Sequence, residues 1–202
     1  MSVMVKIGIT GGIGSGKSVV ATLLRLYGIP VYIADEESKR LTNSSPVIRR
    51  ALVDLVGEAV YDADGKLDKP RLANFIFGQP EHLARVNAII HPEVNRDFLD
   101  WSERQEKAFC AIESAILFES GFDRIVDVKL MVLAPLEIRL ERAIARDHAS
   151  REALERRIKS QMADEEKASR SDYVIHNDDR QALIPQVENF IGWLKNRENA
   201  LF

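Results

Sequence analysis

The chain has 202 residues, 46% of them apolar and 29% charged, which suits one compact domain with a buried core and room for inserted subdomains. A formal net charge of −3 speaks against general binding of nucleic acid or anionic membrane, so any basic site must be local. A single cysteine, Cys110, excludes an internal disulfide and a multi-cysteine zinc site; no apolar run reaches the ~20 residues of a membrane span, the N-terminus lacks a signal-peptide pattern, and a cytoplasmic protein is expected.

Val5–Thr10 is an apolar run bounded by glycine and reads as a short buried strand. A glycine-rich stretch, Gly11–Ser18, follows it. The next residues, Val19 to Tyr27, are apolar at helical spacing and close on Gly28 as a C-cap. Pro30–Ile33 predicts a second strand ending at Ala34-Asp35. Strand, glycine loop, helix, strand is the opening of an α/β fold with a parallel sheet. From Glu36 to about Glu106 no buried strand is legible. That stretch reads as helices over Glu36–Leu41, Pro46–Val56, Pro70–Phe77, Pro80–Ile90 and Pro92–Gln105. In the last four, proline sits at the start, where its missing N–H costs least. Strand character returns at Ala108–Ser114 and Val126–Leu133. Two charged helices, Pro135–Arg146 and Arg151–Gln161, precede a last strand at Tyr173–Ile175 and a closing amphipathic helix over Gln181–Lys195.

Gly11-Gly12-Ile13-Gly14-Ser15-Gly16-Lys17-Ser18 matches G-x-x-x-x-G-K-[ST], the phosphate-binding P-loop. Backbone N–H groups can surround a phosphate only where side chains are absent, which accounts for Gly12, Gly14 and Gly16 around the small Ser15. The helix that starts near Gly16 adds its partial positive charge. Lys17 can reach the β- and γ-phosphates, and the Ser18 hydroxyl can bind Mg²⁺. The guanine-reading N-K-x-D pattern is absent. Asp35, at the end of the second strand, shares the C-terminal sheet edge with the loop. It reads as a base for an acceptor hydroxyl or as the N-cap of the next helix. Glu113, at the end of the third strand, is either an acid near the magnesium or a surface glutamate.

Arg139, Arg142 and Arg146 are spaced i, i+3, i+7 on one helix face, followed by Arg151, Arg156, Arg157 and Lys159. Arg151–Glu155 and Glu152–Arg156 are i,i+4 pairs that would form without a ligand. The alternative is a mobile lid closing positive charge on a triphosphate and excluding water. Spacing does not choose among these arginines. His91 reads as a helix-boundary residue, His148 and His176 as facing solvent, and Trp101 and Trp193 as packing residues.

Nearly the whole chain resembles the dephospho-coenzyme A kinases. The resemblance rests on T-G-G-I-G-S-G-K-S (Thr10–Ser18), V-Y-I-A-D (Val31–Asp35), Arg71-Leu72 and N-A-I-I-H-P (Asn87–Pro92). It continues in E-S-A-I-L-F-E (Glu113–Glu119), R-D-x-x-x-R-E (Arg146–Glu152), R-I-x-x-Q (Arg157–Gln161) and S-D-Y-V-I-H-N (Ser171–Asn177). It implies a single α/β domain of three-layer P-loop fold with a five-stranded parallel sheet. The nucleotide-binding core would take 1–35, 107–137 and 166–202, a helical substrate insertion 36–106, and a lid 138–165. It implies ATP as co-substrate with Mg²⁺, dephospho-coenzyme A as acceptor, and no obligate protein partner, nucleic acid or membrane. ATP would be bound by Gly12, Gly14, Ser15, Gly16, Lys17, Ser18 and Val19, with Arg142 the lid arginine nearest it and Asn177 opening a loop close to the adenine. Lys17 and Arg142 would act on the phosphates, Asp35 as base for the ribose 3′-hydroxyl, Ser18 and Glu113 at the metal. His91 and Glu119 fall in motifs lining the acceptor site. The chain departs from the usual pattern at Ile33 (commonly Asp), Ala115 (commonly Pro), Asp179 (often Gly) and Val19 (commonly Thr). The rivals are a kinase of the same fold acting on a nucleoside monophosphate, and a nucleotide-binding regulator without transfer activity.

Overall fold

In a computed structural model, which describes residues 4–199, the five apolar runs become β1 (Val5–Thr10), β2 (Val31–Ile33), β3 (Phe109–Glu113), β4 (Val128–Leu133) and β5 (Tyr173–His176). They form one parallel sheet of order β2-β3-β1-β4-β5. A parallel sheet needs helical crossovers that cover both faces, so its strands are apolar throughout rather than alternating. Ile7, Ile9, Ala111, Ile112, Leu130 and Val132 are accordingly all fully buried. Because the strands are parallel, the ends at Thr10, Glu113, Leu133 and His176 lie along one edge.

The helices are α1 (Lys17–Leu26), α2 (Ala34–Ser44), α3 (Pro46–Val56), α4 (Lys69–Ile76), α5 (Pro80–Glu103), α6 (Leu136–Asp147), α7 (Arg151–Lys159), α8 (Asp164–Ser169) and α9 (Leu183–Asn199). The chain divides into two compact units: one runs up to Tyr32 and resumes at Gln105, the other is Ile33–Arg104. In the first, α9 packs on α1 and β5 through Val187, Phe190 and Leu194, and α8 packs on β4. Tyr173, Phe190 and Trp193 form an aromatic cluster, with the Tyr173 and Trp193 ring centroids 5.4 Å apart.

In the second unit α2, α3 and α5 pack together over Ile48, Leu52, Val94 and Phe98. Here the structure corrects the sequence reading: Pro80–Ile90 and Pro92–Gln105 are one continuous helix, with Pro92 inside it. A proline in a helix interior costs ~3 kcal/mol. Burying Val86, Val94 and Phe98, on both sides of it, returns ~1.5–3 kcal/mol each, and packing outweighs the local rule. The same helix is tied to the start of α3 at Glu93. Its carboxylate accepts from Ser45 Oγ (3.2 Å) and Arg96 Nη2 (2.6 Å), while Ser45 itself caps α3. The helix after β2 is also longer than Glu36–Leu41. Its N-cap is Ile33, so Asp35 stands in the first turn and is not the cap.

Candidate active site

The glycine loop runs from the end of β1 into α1 at the carboxyl edge of the sheet, where α/β proteins bind ligands. Gly16 is the N-cap of α1 at φ +92, a left-handed conformation, with no side-chain cap on the first turn. The loop therefore presents the open, positive end of a ten-residue helix. Within it, the Ser15 hydroxyl is buried and makes no hydrogen bond, and neither does that of Thr10 just before it. Buried polar atoms normally have partners, so two unpaired ones at this loop fit a site completed by a bound phosphate. Lys17 Nζ lies 3.7 Å from the Glu113 carboxylate, both side chains mostly buried. Pairing across β1 and β3 places them there, since Ile9 is in register with Glu113. Glu113 is thus a buried acid beside the loop, not a surface glutamate. Ser18 and Val19 are exposed on the first turn of α1.

Asn177 follows β5 directly and closes the loop from the side. Its Nδ2 donates to the Ser15 carbonyl (2.8 Å), and it lies so near Gly16 that a β-carbon there would stand 2.1 Å from it. Arg142, on α6, donates to the Asn177 backbone carbonyl (3.1 Å), to Asn177 Oδ1 (3.4 Å) and to the Asp179 carboxylate (2.6 Å). Asp179 has φ +62. Aspartate is among the few residues besides glycine that tolerate a left-handed backbone. Its carboxylate is the one that Arg142 meets there.

The arginine series separates into three fates that spacing concealed. Arg139 is only 2% exposed, donates from Nε to the Ile13 carbonyl (2.9 Å) and pairs with Asp164. Arg142 reaches the Asn177 loop. Arg146 and Arg151 sit in exposed ion pairs, the first with Asp147 (2.7 Å), the second with Glu137 (2.8 Å) and Glu155 (2.9 Å). Glu119 accepts the Met162 N–H (2.8 Å) and pairs with Lys167 (3.0 Å). Lys167 is fully buried and also donates to the Ala115 carbonyl (2.6 Å), so Ala115 contributes its backbone oxygen.

Two of the site residues anticipated from sequence belong to the helical unit. Asp35 is exposed at the start of α2, where the helix dipole favours a carboxylate. His91 is half-buried on α5, and burial lowers the pKa of its imidazole below the usual value. His148 and His176 are exposed. What sequence reading missed is α8 with Asp164 and Lys167; six charged or small residues leave no apolar period to find.

A family model described as dephospho-CoA kinase matches residues 5–182. A protein of Bacteroides fragilis named dephospho-CoA kinase is 54% identical over 191 residues, covering 94% of this chain and 93% of that protein. A solved structure of a Thermus thermophilus protein superposes with a TM-score of 0.81 at 36% identity, covering 96% of this chain and 97% of that one. A shikimate kinase of Acinetobacter baumannii, solved with shikimate, reaches a TM-score of 0.56 at 16% identity over 97% of this chain and 96% of its own, a likeness of fold alone.

Proposed function

The chain belongs to the dephospho-CoA kinase family, and on that premise we propose how its residues divide the transfer of the ATP γ-phosphate to the ribose 3′-hydroxyl of dephospho-CoA. The reaction is the last step of coenzyme A biosynthesis. The observation that carries the reading is the glycine loop itself. It opens a helix N-terminus at the sheet's carboxyl edge, with Lys17 and a buried acid beside it and two hydroxyls left unpaired.

Gly12, Gly14, Ser15, Gly16, Ser18 and Val19 offer main-chain N–H groups to the phosphates. Lys17 follows the charge that moves onto the β–γ bridging oxygen and the transferred group. Arg142, reaching from α6 to the Asn177 loop, adds positive charge on the nucleotide side, with 138–165 as lid. Asn177 borders the adenine. The acceptor's 3′-oxygen bonds to Pγ, the bond from Pγ to the β-phosphate oxygen breaks, and ADP leaves. Asp35 orients the hydroxyl and takes its proton late in this loose displacement. His91 and Glu119 contribute to acceptor binding. The Ser18 hydroxyl and the Glu113 carboxylate are oxygen donors suited to Mg²⁺, which keeps several waters and usually takes one or two protein oxygens besides the phosphates. When bound, Mg²⁺ would neutralise charge on the β- and γ-phosphates. Lys17 then has to release Glu113 and turn to ATP. A cytoplasmic location and a small-molecule partner alone complete the proposal.

An acceptor panel tests it. Wild-type protein with ATP and Mg²⁺ should phosphorylate dephospho-CoA to coenzyme A, identified by mass spectrometry, and leave nucleoside monophosphates and shikimate unchanged. Lys17→Ala should lose ~10²–10³-fold in kcat while remaining folded, as its circular dichroism should show. Preference for a nucleoside monophosphate, or ATP binding without transfer to any acceptor, would replace this reading with one of its rivals.

A further inference from the structure

Arg139 is the largest fully buried side chain in the described residues, and a buried charge needs partners to be tolerated. Its partners are specific. Nε donates to the carbonyl of Ile13 at 2.9 Å, a residue 126 positions earlier and in the middle of the glycine loop. Nη1 pairs with Asp164 at the start of α8, where the proposed lid segment ends. The guanidinium lies directly against Gly12: a β-carbon there would stand 2.0 Å from Nη2. The main chain of Arg139 lies as close to Gly14, 2.2 Å from a β-carbon built on that residue. Two glycines of the phosphate motif are thus required by the protein behind the loop as well as by any phosphate in front of it.

The side chain of the same loop residue is held by the same helices. Ile13 is buried in an apolar cluster with Leu140 and Ala143 of α6 and Leu154 of α7, bordered by Ile144, Ala149 and Ile158. Ile13 therefore has its carbonyl fixed by one lid-side residue and its side chain by several others. A peptide unit held by its carbonyl has its plane set, and with it the direction of the next N–H, that of Gly14.

From this we infer that Arg139 is a positioning residue for the phosphate loop: with Asp164 it fixes the Ile13 peptide and couples loop geometry to the segment carrying α6–α8. The inference rests on the reading of Gly11–Ser18 as the ATP phosphate site. Arg139 touches no substrate; it acts through the loop. A planar guanidinium can hold the Ile13 carbonyl and the Asp164 carboxylate at once, and a lysine cannot match that fork.

The test uses full-length Arg139→Met, Arg139→Lys and Asp164→Asn with wild type. ADP affinity is measured by calorimetry, and KM for ATP, KM for dephospho-CoA and kcat are measured well below the unfolding midpoint. Arg139→Met should weaken ADP binding and raise the ATP KM about ten- to a hundredfold, with the dephospho-CoA KM unchanged. Arg139→Lys should recover part of the loss, and Asp164→Asn should move the same constants in the same direction by less. Amide exchange adds a second reading. ADP should slow exchange across α8 in wild type but not in Arg139→Met at saturating ADP. Variants with a lowered unfolding midpoint but wild-type ADP affinity and ATP KM would overturn the proposal and leave Arg139 a structural residue. Should Arg139→Met fail to fold, unchanged constants in Asp164→Asn refute it alone. Failure of wild type to bind ADP would instead remove the phosphate-site reading beneath it.

Discussion

Replacing Gly16 by alanine separates backbone strain from steric displacement at the mouth of the loop. Gly16 sits at φ +92 and ψ 16, where a β-carbon costs ~1–2 kcal/mol. That carbon would also stand 2.1 Å from Asn177 Nδ2, too close to coexist, so Asn177 must give up its 2.8 Å bond to the Ser15 carbonyl. A neutral hydrogen bond is worth ~1 kcal/mol, and the sum is a loss of ~2–3 kcal/mol. At ~2–4 °C per kcal/mol for a chain of this size, the unfolding midpoint should fall by ~4–12 °C. Asn177→Ala alone removes that hydrogen bond and the longer one from Arg142 to Oδ1, and should cost ~1–2 kcal/mol. In that background the clash is gone, so Gly16→Ala should cost the strain only, and the two changes should be less than additive by ~1 kcal/mol. Denaturant unfolding of the four proteins measures the cycle, and calorimetry with ADP follows the site. Strict additivity would show that Asn177 does not obstruct position 16, and the packing argument would fail.

The remaining expectations are more local. Ile33 occupies the N-cap of α2 without a capping side chain, so Ile33→Asp should be more stable than Ile33→Ala by ~1 kcal/mol; equal denaturation midpoints would refute a capping role. Cys110 is fully buried, and burial pushes its thiol up to about 11. It should resist maleimide in the native protein near neutral pH and take one label when unfolded, as intact-mass spectrometry would show; native labelling at the unfolded rate would contradict this. Burial holds the His91 imidazole below its ordinary value. Its contribution is therefore fully present above ~6.5 and is lost as pH falls through the lower folded value. Stability should fall with acid over that range, and His91→Gln should flatten the fall; an identical pH profile in the variant would place the titration elsewhere.

The strands and the phosphate loop were legible in the sequence because both are written locally. A parallel strand buried on two faces is an apolar run, and the loop needs glycine and lysine at fixed spacing. Helix starts at Pro46 and Pro80 were legible for the same reason. Pro92 shows where that reasoning stops, since a strong local signal lost to packing on both sides of it. The arginine face shows it again. Periodicity put Arg139, Arg142 and Arg146 in one row, but only the folded chain shows the first buried behind the loop, the second on the Asn177 turn and the third in a surface pair. Lys167, buried in α8 and paired with Glu119, left no pattern at all. The residues that decide these fates are 126 and 162 positions apart for Arg139 with Ile13 and Asn177 with Ser15. Sequence spacing carries information over a turn or a strand. Which charge meets which carbonyl across such separations is set by the path of the chain, and that path is fixed only when the sheet closes and its helices pack.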